Sequence, residues 1–275
     1  MGDKNIQKKL SIVTFNTLGT PFFAPDITKR YTKAAELLNK GDYDIVCLQE
    51  LFTYYHLFLF QKKLKKYPYL TYQKNPFGPK GGLAIFSKLP LINKDYFTYT
   101  FPSDSYVPFY VYLAQPGILS AIIKPWNIKI ATTHLSSDTV SNLSPKNKLY
   151  RLISNQLFEA AKEANRYTKN GNSLILAGDF NTAKCSSLHK QFIENTQLLN
   201  IFEKYEKPTY DPKRIEYFYR SISDQIDFIF IKAESTRLKI LKKEYIFTDV
   251  TTLSNGKKSY LSDHIALHCI LGVNK

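Results

Sequence analysis

The feature that most constrains this chain is a set of five polar clusters placed where apolar runs of strand length end. Leu10 to Phe15 closes on Asn16-Thr17, and Asp44 to Leu48 closes on Gln49-Glu50. The run before His134 ends Thr132-Thr133-His134, and Leu176-Ala-Gly closes on Asp179-Phe-Asn181. The fifth group is Gln225-Ile-Asp227 together with Leu261-Ser-Asp263-His264. Further runs at Leu83–Ser87, Ile118–Lys124, Ile128–Thr133, Ser173–Ala177, Gln225–Ile231 and Ile265–Leu271 read as strands. Tyr31, Ala34, Ala35 and Leu38 recur at helical spacing before a Gly41 stop, and Tyr54–Phe60 reads as a helix packed on the sheet. Ser144-Pro145 pairs a hydroxyl cap with proline at the first helical position. It predicts a long helix bearing Leu149, Leu152, Ile153, Gln156, Ala160, Ala164 and Tyr167 on one face, ended by Gly171. Many strands with few helices imply a sandwich with helices outside, and no repeat, low-complexity tract or linker divides the chain. The expectation is one α+β domain over residues 1–275, with a core from about 10 to 272.

Taken singly, each cluster is a turn aspartate, a capping asparagine or a hydrogen-bonded core histidine. Together they hold the chemistry of metal-assisted hydrolysis. A hard divalent cation prefers oxygen ligands, so Glu50, Asp263 and the amide of Asn16 suit Mg²⁺ better than zinc. A phosphodiester needs a positioned water, a base, and relief of charge on its oxygens and leaving alkoxide. Asp227 with His264 supplies a carboxylate-oriented imidazole, and His134, Asp179 and Asn181 supply polar groups for water and phosphate. His56, by contrast, sits in a helical pattern and reads as structural.

The formal net charge of +15 favours polyanionic partners: nucleic acid, an anionic membrane or phosphorylated small molecules. The bland alternative is lysine covering a solvated surface. Cys47, Cys185 and Cys269 are widely spaced, and two of them lie in apolar runs, which argues against a disulfide framework or a zinc site. The first ten residues contain no apolar signal core. Ile6 breaks the myristoylation pattern after Gly2, and no run of about 18 apolar residues exists. No signal peptide and no transmembrane segment are expected, with a cytoplasmic or unknown location, and the chain is expected to be a monomer. Residues 96–112 concentrate Tyr96, Phe97, Tyr99, Phe101, Tyr106, Phe109, Tyr110 and Tyr112. Period-2 alternation predicts that Phe97, Tyr99 and Phe101 point inward, whereas Tyr106 to Tyr112 follow a turn and can meet a lipid interface or stack on bases.

The order Asn, Gln-Glu, Thr-His, Gly-Asp-x-Asn, Ile-Asp-Phe, Ser-Asp-His resembles the endonuclease/exonuclease/phosphatase superfamily, from about Ser11 to Leu271. The resemblance implies a four-layered αββα sandwich, two mixed sheets flanked by helices, like deoxyribonuclease I. It implies Mg²⁺ (Mn²⁺ as the alternative) held by Asn16 and Glu50, to which the residue reading above adds Asp263, and nucleophilic water oriented by Asp179 and Asn181. It also implies His264 as general base or phosphate contact, Asp227 as its orienting carboxylate, and His134 as transition-state stabiliser or proton donor. Within the superfamily, Gln49-Glu-Leu-Phe52, Gly81-Gly-Leu-Ala-Ile-Phe-Ser-Lys-Leu-Pro90 and Thr133-His-Leu135 are similar to neutral sphingomyelinases. The chain departs from them after His134, in Ser136-Ser-Asp138, and has no evident membrane-binding hairpin. The leading expectation is a phospholipid phosphodiesterase in peripheral contact with a membrane; the alternative is a DNA or RNA nuclease of the same fold. A non-catalytic phosphate- or nucleic-acid-binding module is the least favoured, since every motif position is kept.

Overall fold

The computed structural model describes residues 8–137, 145–146, 148–215, 223–232 and 237–274. Apolar residues at alternate positions of a strand face opposite sides, so a strand buried on both faces reads as a continuous apolar run. The central strands do so. Along β1 (Lys8–Asn16), Leu10 and Ile12 point one way while Val13 and Phe15 join a different cluster. Helix α1 (Ile27–Lys40) covers the Val13/Phe15 side. The chain continues through β2 (Ile45–Gln49), α2 (Tyr54–Lys63), β3 (Tyr69–Thr71), β4 (Ala84–Ser87) and β5 (Leu91–Thr98). Then come α3 (Phe109–Ala114), β6 (Gly117–Ile123), β7 (Ile128–His134), α4 (Tyr150–Thr168) and β8 (Leu174–Asp179). Next are α5 (Ser187–Thr196), β9 (Leu198–Asn200), β10 (Asp227–Lys232) and β11 (Leu238–Ile246). The short ribbon β12 (Thr251–Thr252) and β13 (Lys258–Ser259) precedes β14 (Ala266–Val273).

These strands form two six-stranded sheets, ordered β11-β14-β1-β2-β4-β3 and β5-β6-β7-β8-β10-β9. Both are mixed: β1 runs parallel to β2, and β7 parallel to β8, while the remaining pairs are antiparallel. Leu10, Ile12, Ile45, Cys47 and Ile85 of one sheet pack on Ile123, Ile130, Ile175, Ala177 and Ile229 of the other. Outside, α1 and α2 cover the first sheet with Tyr31, Ala35, Leu38, Leu57 and Phe60. Helices α4 and α5 cover the second with Leu152, Ile153, Leu157, Ala160 and Phe192. The result is the expected αββα layering of an α+β protein.

Three expectations need adjustment. Helix α4 begins at Tyr150, with Pro145 in a preceding turn; Ser144 lies outside the described residues. The strand expected from Gln225 begins at Asp227. Most usefully, only part of the site closes strands. Asn16, His134 and Asp179 end β1, β7 and β8, and Glu50 follows β2, but Asp227 opens β10 and Asp263-His264 precede β14. Strands β10 and β14 run antiparallel to their neighbours β8 and β1, so their starts lie at the same edge as those neighbours' ends. Tyr99 is buried and Phe97 and Phe101 pack partly against the α4 side, as the alternation predicted.

Candidate active site

Register brings the side chains together. His134 of β7 pairs with Asp179 of β8, and Asp179 pairs with Asp227 of β10, so three functional positions stand in one row. In the facing sheet, Asn16 of β1 pairs with Gln49, and Glu50 follows. The two sheets are tied beneath the site by Gln49, whose buried amide nitrogen donates to Thr14 Oγ1 at 3.0 Å and to Thr132 Oγ1 at 2.9 Å.

Two glycines make this approach feasible. A Cβ on Gly178 would lie 2.1 Å from the Thr133 carbonyl oxygen, and its φ of 142° is itself unfavourable for other residues. The glycine of Gly-Asp-Phe-Asn therefore lets β8 lie close to β7 just before Asp179. Gly82, at φ 67°, receives Leu51 N–H at its carbonyl (2.9 Å), and an added Cβ would crowd the Glu50 Cα at 3.1 Å. Glu50 itself sits at φ 61°, an uncommon conformation for a non-glycine residue. It is held there by the Leu51–Gly82 bond and by Tyr31, whose hydroxyl donates to the Glu50 carbonyl at 3.0 Å.

The predicted residues form one network. Asn16 Nδ2 donates to Glu50 Oε1 at 3.0 Å and to Asp179 Oδ2 at 2.8 Å, while its Oδ1 accepts from Leu18 N at 3.0 Å. The second oxygen of Glu50 accepts from Gly19 N and Thr20 Oγ1, each at 3.1 Å. His134 Nε2 lies 3.6 Å from Asp179 Oδ2 and 4.0 Å from Glu50 Oε1. Opposite it, His264 Nδ1 donates to Asp227 Oδ2 at 2.8 Å, and its Nε2 lies 3.7 Å from Asp179 Oδ2 and 4.0 Å from Asp263 Oδ1. Asn181, at φ 47°, turns its amide nitrogen onto the Leu135 carbonyl (2.8 Å) and its backbone N–H onto Asp179 Oδ1 (2.8 Å). All eight predicted residues thus meet at one edge of the sandwich. Glu50 and His134 keep 14% of their side chains exposed, and the others are buried.

Four carboxylates, Glu50, Asp179, Asp227 and Asp263, converge here. Burial raises the Asp263 carboxyl, and the charge of Glu50 adds to this against the attraction of His264, which leaves it at about 6. Burial also raises Asp227; His264 opposes that rise and Asp179 reinforces it. For His264, burial disfavours the imidazolium, but Asp227, Asp179 and Asp263 more than offset this and hold its pKa above the ordinary imidazole value. Burial, reinforced by the neighbouring acids, disfavours the charged forms of Asp263 and Asp227, a penalty that a divalent cation would relieve, so the donor set fits such an ion. Among the described residues, Asp179, Asp227 and His264 offer ligand atoms within 4.8 Å of one another. Asp227 and His264, however, already satisfy each other. Glu50 and Asp263 offer carboxylate oxygens, the better match to a hard cation, whereas Asn16 turns its Nδ2 toward Glu50 and Asp179 and its Oδ1 toward Leu18 N–H.

Sequence reasoning missed Arg30. This arginine on the buried face of α1 donates to four backbone carbonyls: Pro25 and Thr17 at 2.8 Å, Leu18 at 2.6 Å and Leu261 at 2.8 Å. It joins the loop carrying Gly19 and Thr20 to the segment leading into Asp263. The available signal was an arginine on an otherwise apolar helical stripe with Tyr31, Ala34 and Leu38. Ser262 was also missed; its hydroxyl donates to Asp263 Oδ1 and accepts from His264 N, both at 3.1 Å. So was Thr209, whose hydroxyl accepts from Asp227 N at 3.0 Å.

An edge-on cluster of acids, amides and two histidines on a two-sheet sandwich is an arrangement that metal-assisted hydrolysis of a phosphate ester could use. The profile of the Endonuclease/Exonuclease/phosphatase family matches residues 13–264, and the chain belongs to that family. It is 24% identical over 277 residues to a protein of Drosophila melanogaster named as a neutral sphingomyelinase, a match covering 94% of this chain and 60% of the relative. It is 32% identical over 180 residues to a sphingomyelinase of Dictyostelium discoideum, covering 51% of this chain and 37% of the relative. The matched regions therefore span less than two thirds of either relative. Among solved structures, sphingomyelinase C from Streptomyces griseocarneus superposes with a TM-score of 0.65 at 17% identity, covering 97% of this chain and all of that one. TDP2 from D. rerio, complexed with a single-strand DNA product, superposes at 0.71 and 17% identity, covering 96% and 98%. These structural likenesses concern the fold.

Proposed function

We propose that this chain is a Mg²⁺-dependent phosphodiesterase acting on a phospholipid, in the manner of a neutral sphingomyelinase. The observation that carries the reading is the pairing of a carboxylate-oriented imidazole, His264 on Asp227 at 2.8 Å, with an acidic cluster around Glu50 on the facing sheet. Glu50, Asn16 and Asp263 would hold the cation, which when bound supplies positive charge to the phosphoryl oxygens and the leaving alkoxide. Asp179 and Asn181 orient the attacking water. With the charge of a bound cation offsetting that of the neighbouring carboxylates, His264 would be neutral and would take the water proton at Nε2 while Asp227 fixes Nδ1. The water oxygen bonds to phosphorus, the bond from phosphorus to the leaving oxygen breaks, and His134 donates the proton that the alkoxide needs. The products are a phosphomonoester and an alcohol.

That both curated relatives are named as sphingomyelinases supports a lipid substrate over nucleic acid. The test offers sphingomyelin, plasmid DNA, RNA and inositol phosphates to the protein with Mg²⁺, Mn²⁺ or EDTA, with His264→Ala as control. Sphingomyelin cleavage that needs the metal and is lost in the variant is expected. Metal-dependent cleavage of nucleic acid with sphingomyelin untouched would replace this reading with the nuclease one.

A further inference from the structure

Residues 105–123 contain no Asp, Glu, Lys or Arg, yet the first part of this stretch lies on the surface. In α3, only Val111 is buried; Phe109 is 75% exposed, and Tyr110, Tyr112 and Leu113 are exposed as well. Tyr106, just before the helix, is also exposed. A surface helix that presents large aromatic and aliphatic side chains without one charge is suited to an apolar neighbour.

Its position places it beside the catalytic edge. Helix α3 feeds β6, where Ile118 pairs with Thr133, the residue before His134. The Leu113 carbonyl accepts from Asn75 Nδ2 at 2.8 Å, which seats α3 on the loop before Gly81-Gly82. That loop also presents Phe77, 70% exposed, whose carbonyl accepts from Tyr54 N at 3.3 Å, four residues beyond Glu50. Cations flank the patch: Lys74 is exposed on the same loop, and Lys80 Nζ lies 5.2 Å from the centre of the Tyr96 ring. The nearest preceding acid in sequence, Asp104, is paired with Arg151.

We propose that α3 and Phe77 form the surface by which this protein docks on a phospholipid bilayer. Phe109, Tyr112 and Leu113 enter the boundary between headgroups and acyl chains, and Lys74 and Lys80 face the lipid phosphates. The proposal rests on the phospholipid reading of the active site, and it explains how a site at one edge of the sandwich reaches a substrate embedded in a membrane. Charge decides for lipid over single-stranded nucleic acid. A base-stacking platform interleaves aromatics with cations that follow the phosphate backbone; here the aromatics stand together in an uncharged stretch, 105–123, and Lys74 and Lys80 lie outside it at the rim, an apolar centre with a cationic border.

The test uses the full chain and vesicles of sphingomyelin and phosphatidylcholine with a minor fraction of phosphatidylserine. Combined Phe109→Ser, Tyr112→Ser and Leu113→Ser should reduce co-sedimentation with vesicles by about tenfold or more. Cleavage of detergent-dispersed sphingomyelin should stay within about twofold, since none of the three touches the catalytic cluster. Independently, Tyr112→Trp should show a blue-shifted emission change on adding vesicles, measured against the parent, which has only Trp126. Equal vesicle binding by parent and triple variant, or no change at position 112, overturns the proposal. So does loss of single-stranded DNA binding in the variant of a parent that ignores vesicles. If the parent docks through α3 but cleaves no phospholipid, the substrate reading falls and the docking surface stands. Sphingomyelin cleavage in vesicles that is indifferent to the triple variant gives the converse.

Discussion

His264 Nδ1 lies 2.8 Å from Asp227 Oδ2, and both residues are buried, although 37 positions separate them. The bond leaves Nε2 as the free edge of the ring, directed toward Asp179 and Asp263 at 3.7 and 4.0 Å. Asp227 thus fixes which nitrogen can exchange a proton with substrate or water. Its own backbone N–H is fixed in turn by Thr209.

Asp227→Asn keeps the size of this side chain while removing the charge that orients the imidazole. The kcat on the true substrate should fall by about 100-fold or more, as expected for loss of a positioned acid–base group. Thermal unfolding should show the variant still folded. A folded variant with kcat near that of the parent would remove the Asp227–His264 pair from the mechanism.

Glu50→Gln tests the cation site. The change retains shape and the accepted bonds from Gly19 and Thr20 but removes one anionic ligand. Activity should drop about 10- to 100-fold, with the Mg²⁺ concentration for half-maximal rate raised. EDTA should abolish parent activity, and calorimetric titration of Mg²⁺ should show weaker binding by the variant. Undiminished binding would place the ion elsewhere.

Much of the site was legible in the sequence because strand-end polarity is local information. Asn16, Glu50, His134 and Asp179 each follow an apolar run, and the runs themselves emerged as strands. What was not legible depends on pairing between distant strands. That His134, Asp179 and Asp227 stand in one row follows from the register of β7, β8 and β10, which no single segment encodes. The directions of β10 and β14, which turn two polar clusters from strand ends into strand beginnings, are likewise set by their neighbours. Arg30 escaped for a related reason. Its partners are carbonyl groups of loops that come together only in the folded chain, and backbone carbonyls leave no mark on side-chain patterning. The late start of α4 shows the limit of cap chemistry as a boundary signal, since a proline at a permitted first position does not oblige the helix to begin there.

Gly178→Ala separates backbone packing from chemistry. The added methyl would meet the Thr133 carbonyl at 2.1 Å unless β7 and β8 part. The strain, added to the unfavourable φ, should cost about 2–4 kcal/mol in denaturant unfolding. Because Asp179 is the next residue, activity should decline as well, even under conditions where the variant remains folded. A variant as stable as the parent would mean that the strands accommodate the methyl without displacement.

His189 offers a pH test away from the catalytic cluster. It lies buried on α5, its ring 4.5 Å from that of Phe228 and 5.9 Å from that of Phe230. Burial disfavours its charged form, and with a smaller contribution from Lys184 against Glu203 it is lowered from 6.5 to about 4. The unfolded chain therefore binds a proton near pH 6.5 that the folded chain refuses until about pH 4. Stability from this group is full above 6.5, declines as pH falls between those values, and levels off below 4. The loss amounts to about 3 kcal/mol for a shift of this size. Asp263 and Asp227, whose carboxyls are raised, act in the opposite direction, being most favourable to folding when protonated. The parent curve alone would mix these contributions. His189→Leu cancels one of them: the difference in unfolding free energy between parent and variant should shift by about 3 kcal/mol across pH 6.5 to 4, with the parent losing stability faster. Parallel curves through that window would show that His189 becomes protonated in the folded protein as readily as in the unfolded chain.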